Sequence, residues 1–106
     1  MLGIFKRLFT TQNSPELKET LAAGALLLDV RSTGEFASGN IKGSVNIPVD
    51  KLSSQVPLLK KDKPIVVYCR SGARSMAAKA ILEKKGFKNI VDGGSIITVN
   101  KLITTK

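Results

Sequence analysis

Two short apolar runs constrain the fold of this chain more than any other feature of its sequence. The segments ALLLDV at 25–30 and PIVVYC at 64–69 are almost entirely apolar. Runs of this length are too short for helices and are typical of strands that are buried on both faces of a sheet. The pieces SVNIP at 44–48 and NIV at 89–91 predict two shorter strands, and the DGG that follows the second one is expected to break it.

Helical segments alternate with these strands along the chain. Residues 14–24 open with a capping serine and a proline and close with a glycine, which is the usual punctuation of a helix. Residues 49–62 predict a short helix that Pro57 disturbs, and residues 75–86 predict a longer one. The apolar face expected for this longer helix consists of Met76, Ala77, Ala80 and Ile81. The alternation predicts an α/β domain of three layers, with a small, mostly parallel sheet between two layers of helices.

The 106 residues are enough for one compact domain, which we place at 14–106. The preceding segment, 1–13, begins with MLGIFKRLF, whose apolar and basic residues fall on opposite sides of a helical wheel. We expect residues 1–9 to pack on the domain as a helix or an edge strand. The alternative is an amphipathic helix that rests on an anionic membrane surface. The segment is too short for a secretory signal, and we therefore expect a cytoplasmic protein.

The charge and the cysteine content limit the classes of partner and cofactor. The chain carries 17 lysine and arginine residues against 8 aspartate and glutamate residues, a net charge of +9 that favours anionic partners. It contains no run of five basic residues and no ladder of aromatic residues, so nucleic-acid binding is not predicted. One cysteine and no histidine exclude an internal disulfide and argue against a structural zinc site. We expect neither a metal nor an organic cofactor.

The only cysteine lies in YCRSGARS, residues 68–75, at the carboxyl end of the second long apolar run. In parallel sheets, ligands bind beyond this end of the strands. A reactive cysteine is a thiolate, and in a chain without histidine it must be stabilised by nearby cations or by a helix N-terminus. The loop supplies two arginines and three small residues that let N–H groups turn inward, namely Arg70, Ser71, Gly72, Ala73 and Arg74. The sequence thus predicts an anion site at Cys69, the alternative being a buried apolar cysteine that ends a strand.

Two blocks of this sequence resemble those of the rhodanese-type sulfurtransferases. CRSGAR at 69–74 is similar to the active-site loop of that family, and LLDVRSTGEFASGNIKGSVNIP at 27–48 is similar to its upstream signature. The resemblance implies a single rhodanese-like domain in which Cys69 accepts a sulfane sulfur, becomes a persulfide and passes the sulfur to a thiol or to cyanide. It also implies that residues 70–74 cradle the sulfur, that Arg74 closes the cradle, and that a small anion such as thiosulfate is the donor. A protein thiol is one candidate for the acceptor.

The spacing of cysteine and arginine separates sulfur transfer from phosphate chemistry. The cell-cycle dual-specificity phosphatases resemble rhodaneses but have five residues between these positions, whereas four residues separate Cys69 from Arg74, and Ser75 follows. The shorter loop suits a single sulfur atom better than a tetrahedral oxyanion, so we rank phosphatase or arsenate-reductase activity below sulfur transfer. The alternative from another class is a binding or sulfur-carrier module that docks to an acidic protein partner and has little turnover of its own.

Three charged residues of the upstream block are expected to support the loop and not to react. Asp29 and Arg31 stand at the carboxyl end of the first buried strand. Arg31 can pair with Asp29 or with Glu35, and either pair would hold the loop predicted at 31–43 beside Cys69.

Two positions depart from the family pattern. Asn40 stands where the family usually has histidine, and Thr98 stands where it usually has an aromatic residue, often tryptophan. Asn40 can still form hydrogen bonds, so we expect a change in loop packing and not a loss of activity. The β-branched run at 96–99 has weak helix propensity. The sequence therefore does not decide whether this segment forms the last helix of the family pattern.

Overall fold

The computed structural model describes residues 15–104 of the chain. The predictions for the segment 1–13, including membrane contact through residues 1–9, lie outside this range. The helices are α1 Pro15–Ala22, α2 Thr33–Ser38, α3 Val49–Gln55, α4 Ala73–Lys84 and α5 Ile96–Thr104, with a 3₁₀ turn at Val56–Leu58. The strands are β1 Leu26–Asp29, β2 Val45–Asn46, β3 Ile65–Cys69 and β4 Ile90–Ser95. None of these helices is long and apolar enough to cross a bilayer.

The four strands form one parallel sheet in the order β2-β1-β3-β4. All five residues of β3 are buried, because its side chains alternate between two apolar clusters on opposite faces of the sheet. One cluster includes Cys69 and residues of α3 and α4, and the other includes Tyr68 and residues of α1 and α5. The three-layer α/β/α fold predicted from the sequence is therefore confirmed.

The helix α2 lies where the sequence predicts a loop, at 31–43. A capping box starts this helix: Ser32 Oγ accepts the N–H of Glu35 at 3.1 Å, and Glu35 Oε1 accepts the N–H of Ser32 at 2.9 Å. These two bonds satisfy N–H groups that the first turn of a helix otherwise leaves unpaired. The prediction of a loop over the whole of 31–43 is therefore wrong, and the motif Ser-x-x-Glu at 32–35 is the sequence signal for the helix.

β4 is longer than the strand predicted at 89–91, because the two glycines that follow do not end it. Pairing with β3 continues to Ser95. Asp92 and Gly94 lie opposite consecutive residues of β3, so Gly93 between them is an extra residue that the sheet absorbs as a bulge. A continuous partner strand therefore outweighs the weak strand propensity of glycine.

The helix α5 forms despite its β-branched start. Val99 on its inner face is fully buried, and Ser95 Oγ accepts the N–H of Thr98 at 3.1 Å. Burial against the sheet therefore outweighs the weak helix propensity of 96–99. The contact with β4 is close, since a Cβ built on Gly93 would lie 2.6 Å from Val99 Cγ2.

The helix α4 buries a different face from the expected one. Its buried residues are Ser75, Ala78 and Leu82, whereas Met76 of the predicted apolar face is 67% exposed. The helix begins at Ala73, two residues earlier than predicted. The buried positions three and four residues apart form one stripe, and two of them are small, which lets the helix approach the sheet closely.

Candidate active site

The carboxyl end of β3 and the loop that follows it surround the sulfur of Cys69. Cys69 is fully buried, and the Gly72 N–H donates a hydrogen bond to its Sγ at 3.0 Å. Gly72 has a φ of 105°, in the left-handed region that glycine adopts readily, and this turn directs its N–H back to the sulfur. α4 begins at the next residue, so the positive end of its dipole lies beside the thiol.

Backbone N–H groups favour the anionic form of this thiol. Burial alone raises the pKa of Cys69, because a buried thiolate loses its hydrating water. The N–H groups of Gly72, Ser75, Ser71 and Arg74 lower it, and together they outweigh burial, so that the pKa of Cys69 lies below that of an ordinary thiol. The loop thus surrounds the sulfur with hydrogen-bond donors that stabilise a negative charge.

Arg74 pairs with Glu35 across the site. Its Nη1 donates to Glu35 Oε1 at 2.7 Å and its Nη2 donates to Oε2 at 3.0 Å, a two-pronged geometry that fixes the guanidinium. Glu35 raises the pKa of Arg74, and the Cys69 thiolate near it adds to the rise. Of the two pairings expected for Arg31, the one with Glu35 is absent, because Glu35 binds Arg74 instead.

The Glu35 carboxylate should make stability depend on pH at the acid end. Arg74, and after it the N–H of Ser32, lower the pKa of Glu35 from 4.5 to about 2. Because the folded-state pKa is the lower one, this stabilisation is present above pH 4.5 and is lost as the pH falls toward 2. We expect the free energy of unfolding, from urea titrations, to fall more steeply over this range for the wild type than for Glu35→Gln.

Glu83→Gln is the control for the loss of a carboxylate. Glu83 is exposed on α4 and forms no ion pair with another residue of the described range. Its variant should keep the wild-type slope between pH 4.5 and pH 2. If Glu35→Gln and the wild type lose stability in parallel, the ion pair does not stabilise the fold and the prediction is wrong.

Asp29 and Arg31 form a buried ion pair at the end of β1. Arg31 Nε donates to Asp29 Oδ1 at 2.9 Å, and Arg31 Nη2 donates to Asp29 Oδ2 at 2.7 Å. The same Nη2 donates to the carbonyl of Gly39 at 2.7 Å, and Asn46 Nδ2 donates to the carbonyls of Asp29 and Arg31. The ion pair therefore ties the end of β1 to the segment after α2 and holds that segment at the carboxyl edge of the sheet, while Asn46 ties the same end to β2.

Ser75 and Asp92 form a second support for the loop, which the sequence analysis did not find. Ser75 Oγ donates to Asp92 Oδ1 at 2.7 Å, and the Gly94 N–H donates to the same oxygen at 2.8 Å. Ser75 is fully buried, and its N–H is one of the donors that face Cys69. The contact thus links the cysteine loop to the bulge of β4. A carboxylate beside two glycines at a strand end is the only sequence signal for it.

The remaining loop residues lie at the surface. Arg70, Ser71 and Ala73 are exposed, and only the N–H of Ser71 among their groups acts on the sulfur. The Arg70 side chain makes no hydrogen bond or salt bridge with another described residue. Its charge is therefore free to meet an incoming anion.

A cavity of about 240 Å³ opens at the same edge of the sheet. Its walls come from the segment after α2 and from the start of α5, through Asn40, Ile41, Ile96, Ile97 and Asn100. Asn40 Nδ2 donates to the carbonyl of Phe36 at 2.9 Å, so this side chain closes the end of α2. Residues 15–104 hold no cluster of three or more thiol, carboxylate or imidazole groups that suits a metal ion.

Most of the chain matches a known family and known proteins. Residues 13–95 match the family model described as Rhodanese-like domain. A sulfurtransferase from Allochromatium vinosum is 35% identical over 88 residues, which are 79% of this chain and 82% of that protein. The putative mitochondrial thiosulfate sulfurtransferase of Schizosaccharomyces pombe is 42% identical over 78 residues, but these are 61% of this chain and 55% of that protein.

Both short and long proteins are similar to this chain. The solved structure of the human single-domain sulfurtransferase TSTD1 is 31% identical with a TM-score of 0.68, over 82% of this chain and 91% of that one. The tRNA uridine(34) hydroxylase of Sodalis glossinidius is 38% identical over 80 residues, which are 68% of this chain and only 23% of that protein. The similar region therefore occurs as most of a small protein and as one part of a larger one.

Proposed function

The chain belongs to the rhodanese-like sulfurtransferase family, and on that premise we propose that it transfers a sulfane sulfur through a persulfide on Cys69. The donor is a small anion such as thiosulfate, and the acceptor is a thiol or cyanide. One observation carries the proposal: a buried thiol whose pKa is lowered by converging backbone N–H groups at the carboxyl edge of a parallel sheet. A structural cysteine in an apolar core has no need of such donors.

In the first half-reaction, the Cys69 thiolate attacks the outer sulfur of thiosulfate. A bond forms between Sγ and that sulfur, the sulfur–sulfur bond of the donor breaks, and sulfite leaves with the bonding electrons. Charge is conserved, since a thiolate and a dianion become a persulfide anion and a dianion. In the second half-reaction, cyanide or an acceptor thiolate attacks the outer sulfur and releases the Cys69 thiolate, giving thiocyanate or a new persulfide.

The loop stabilises negative charge in both forms of the enzyme. The N–H groups that face Sγ act on the thiolate and, one sulfur further out, on the persulfide, without reorganising during the reaction. Arg74 contributes a cation whose position Glu35 fixes. The exposed Arg70 and the net charge of +9 attract an anionic donor to this edge.

Mass spectrometry of the intact protein tests the proposal. Incubation with thiosulfate should add the mass of one sulfur atom, and peptide mapping should place that atom on Cys69. Cyanide should then remove it as thiocyanate. With both reagents in excess, each chain should form many molecules of thiocyanate, because every cycle restores the thiolate. If neither thiosulfate nor a low-molecular-weight organic persulfide forms the adduct, the proposal fails.

The same experiment separates a second candidate, the sulfur-carrier module. The match to part of the tRNA uridine(34) hydroxylase favours it, because a similar region there makes up 23% of a longer protein. A carrier would take up one sulfur and hand it to an acidic protein partner. Adduct formation that yields no more than one thiocyanate per chain would favour the carrier over the enzyme.

A further inference from the structure

A groove of about 360 Å³ lies beside β2, on the opposite edge of the molecule from β4. We call it the edge groove and define it by Val45, Asn46, Gln55, Leu58, Lys60 and Lys63, which line it together with three apolar residues of its floor. Leu58 is 74% exposed and Val45 is 38% exposed, although both are large apolar side chains. Two of the four exposed large apolar side chains of the described residues thus meet in one groove.

The backbone at this groove can accept a further strand. β2 is the last strand of the sheet within residues 15–104, so its outer side has no neighbouring strand there. An unpaired strand edge offers N–H and C=O groups to an extended peptide. The amide side chain of Gln55 in the wall adds further donors and an acceptor to those of the backbone.

The positive charge of the groove determines which kind of chain segment can bind there. Lys60 and Lys63 are exposed, neither forms a salt bridge with another described residue, and no carboxylate lines the groove. The segment 1–14 of this chain contains Lys6 and Arg7 and no acidic residue, so it does not complement two lysines. A second copy, with a net charge of +9, is repelled as a whole.

We infer that the edge groove binds a short extended segment of an acidic protein partner, with apolar side chains on Leu58 and Val45 and carboxylates at Lys60 and Lys63. A segment in which apolar and acidic residues are interspersed satisfies both requirements. Lys63 precedes β3 and Cys69 ends it, so the groove is far enough along the strand to leave the cysteine loop open. The inference does not depend on sulfur transfer, and it assigns a recruiting surface separate from the reactive edge.

Fluorescence polarisation with the full chain tests this inference. The probe is a labelled eight-residue peptide in which leucine or valine alternates with aspartate or glutamate. We expect it to bind the wild type, and we expect the double variant Lys60→Glu/Lys63→Glu and the single variant Leu58→Asp each to weaken binding by about tenfold or more. Leu58 is so exposed that its substitution should leave the fold intact. The mass of the thiosulfate adduct and its place on Cys69 should be the same in all these proteins.

Two controls distinguish binding in the edge groove from a general electrostatic attraction between the acidic peptide and the basic chain. Lys84→Glu/Lys85→Glu makes the same change of net charge at exposed positions outside the groove, and it should leave peptide binding within about twofold of the wild type. A peptide with lysine in place of the acidic residues should not bind. Equal losses in both double variants, binding of the lysine peptide, or no binding of a panel of such acidic peptides would each overturn the inference.

The other occupants would produce different results. If Leu58→Asp abolishes a concentration-dependent dimer of the wild type, a second copy fills the groove and the inference is wrong. If Leu58→Asp abolishes sedimentation with phosphatidylglycerol vesicles while no peptide binds, the groove contacts lipid and the inference is again wrong. A failure of the wild type to form the thiosulfate adduct would count against the proposed function and would leave the peptide result unaffected.

Discussion

Cys69→Ser should reduce sulfur transfer to the rate measured without protein, while the domain stays folded. The serine hydroxyl is not ionised at neutral pH in this loop and forms no persulfide, so both half-reactions stop. Its oxygen can still accept the Gly72 N–H that Cys69 Sγ accepts at 3.0 Å. We therefore expect the stability of this variant to lie within about 1 kcal/mol of the wild type. Thiocyanate release and urea denaturation measure the two effects.

Comparison of Cys69→Ser with Cys69→Ala measures the hydrogen bond that the loop donates to residue 69. Cys69→Ala is equally inactive, but it leaves the Gly72 N–H without its buried acceptor, which should cost about 1–3 kcal/mol of stability. Met76→Ala is the control on α4, since that side chain is 67% exposed, and it should retain wild-type transfer. Measurable transfer by Cys69→Ser would mean that another group carries the sulfur and would contradict the proposal.

Gly93→Ala should destabilise the domain by about 2–3 kcal/mol, a large share of the roughly 5–15 kcal/mol by which such domains are stable. The new Cβ would lie 2.6 Å from Val99 Cγ2 and 3.0 Å from Val66 Cγ1. Both valines are fully buried, so neither can move without disturbing the packing between α5 and the sheet. Urea denaturation of the variant measures the loss.

Gly34→Ala is the matched control, because a Cβ at Gly34 meets nothing within 4 Å. It lies in α2, where alanine is the better helix former, and its stability should be equal to the wild type or about 1 kcal/mol higher. In the double variant Gly93→Ala/Val99→Ala, the combined loss should be smaller than the sum of the two single losses, because the clash is relieved. Additive losses, or a Gly93→Ala variant as stable as the wild type, would show that the contact is not tight.

The apolar runs predict the fold well because its central strands are buried on both faces. β1 and β3 lie within ALLLDV and PIVVYC, and a continuous run of apolar residues is the sequence pattern of such strands. The elements that the runs do not predict have other causes. α2 depends on the capping box of Ser32 and Glu35, and the end of β4 depends on its pairing with β3. Neither cause appears in a pattern of hydrophobicity.

The candidate site is predictable as far as it is local in the sequence. The residues from Cys69 to Arg74 are consecutive, so their small side chains and the helix after them already indicate an anion site. The two contacts that position this loop join residues far apart in the chain. Arg74 and Glu35 are 39 positions apart, and Ser75 and Asp92 are 17 positions apart. The chain has several carboxylates, and the packing of the layers determines which of them meets each donor. This packing cannot be predicted from a single sequence.

The bulge in β4 also limits how the length of this segment can change. Asp92 contacts α4, Gly93 lies against α5, and Gly94 resumes the pairing with β3. Removing Gly93 would leave Gly94 opposite Tyr68 and would remove only the bulge. Inserting a residue after Gly94 would shift every later residue by one position, about 3.3 Å along the strand, and would reverse which face its side chain meets. The segment can therefore lose its extra glycine with its pairing intact, but it cannot gain a residue there, either in natural variation or in engineered versions of the domain.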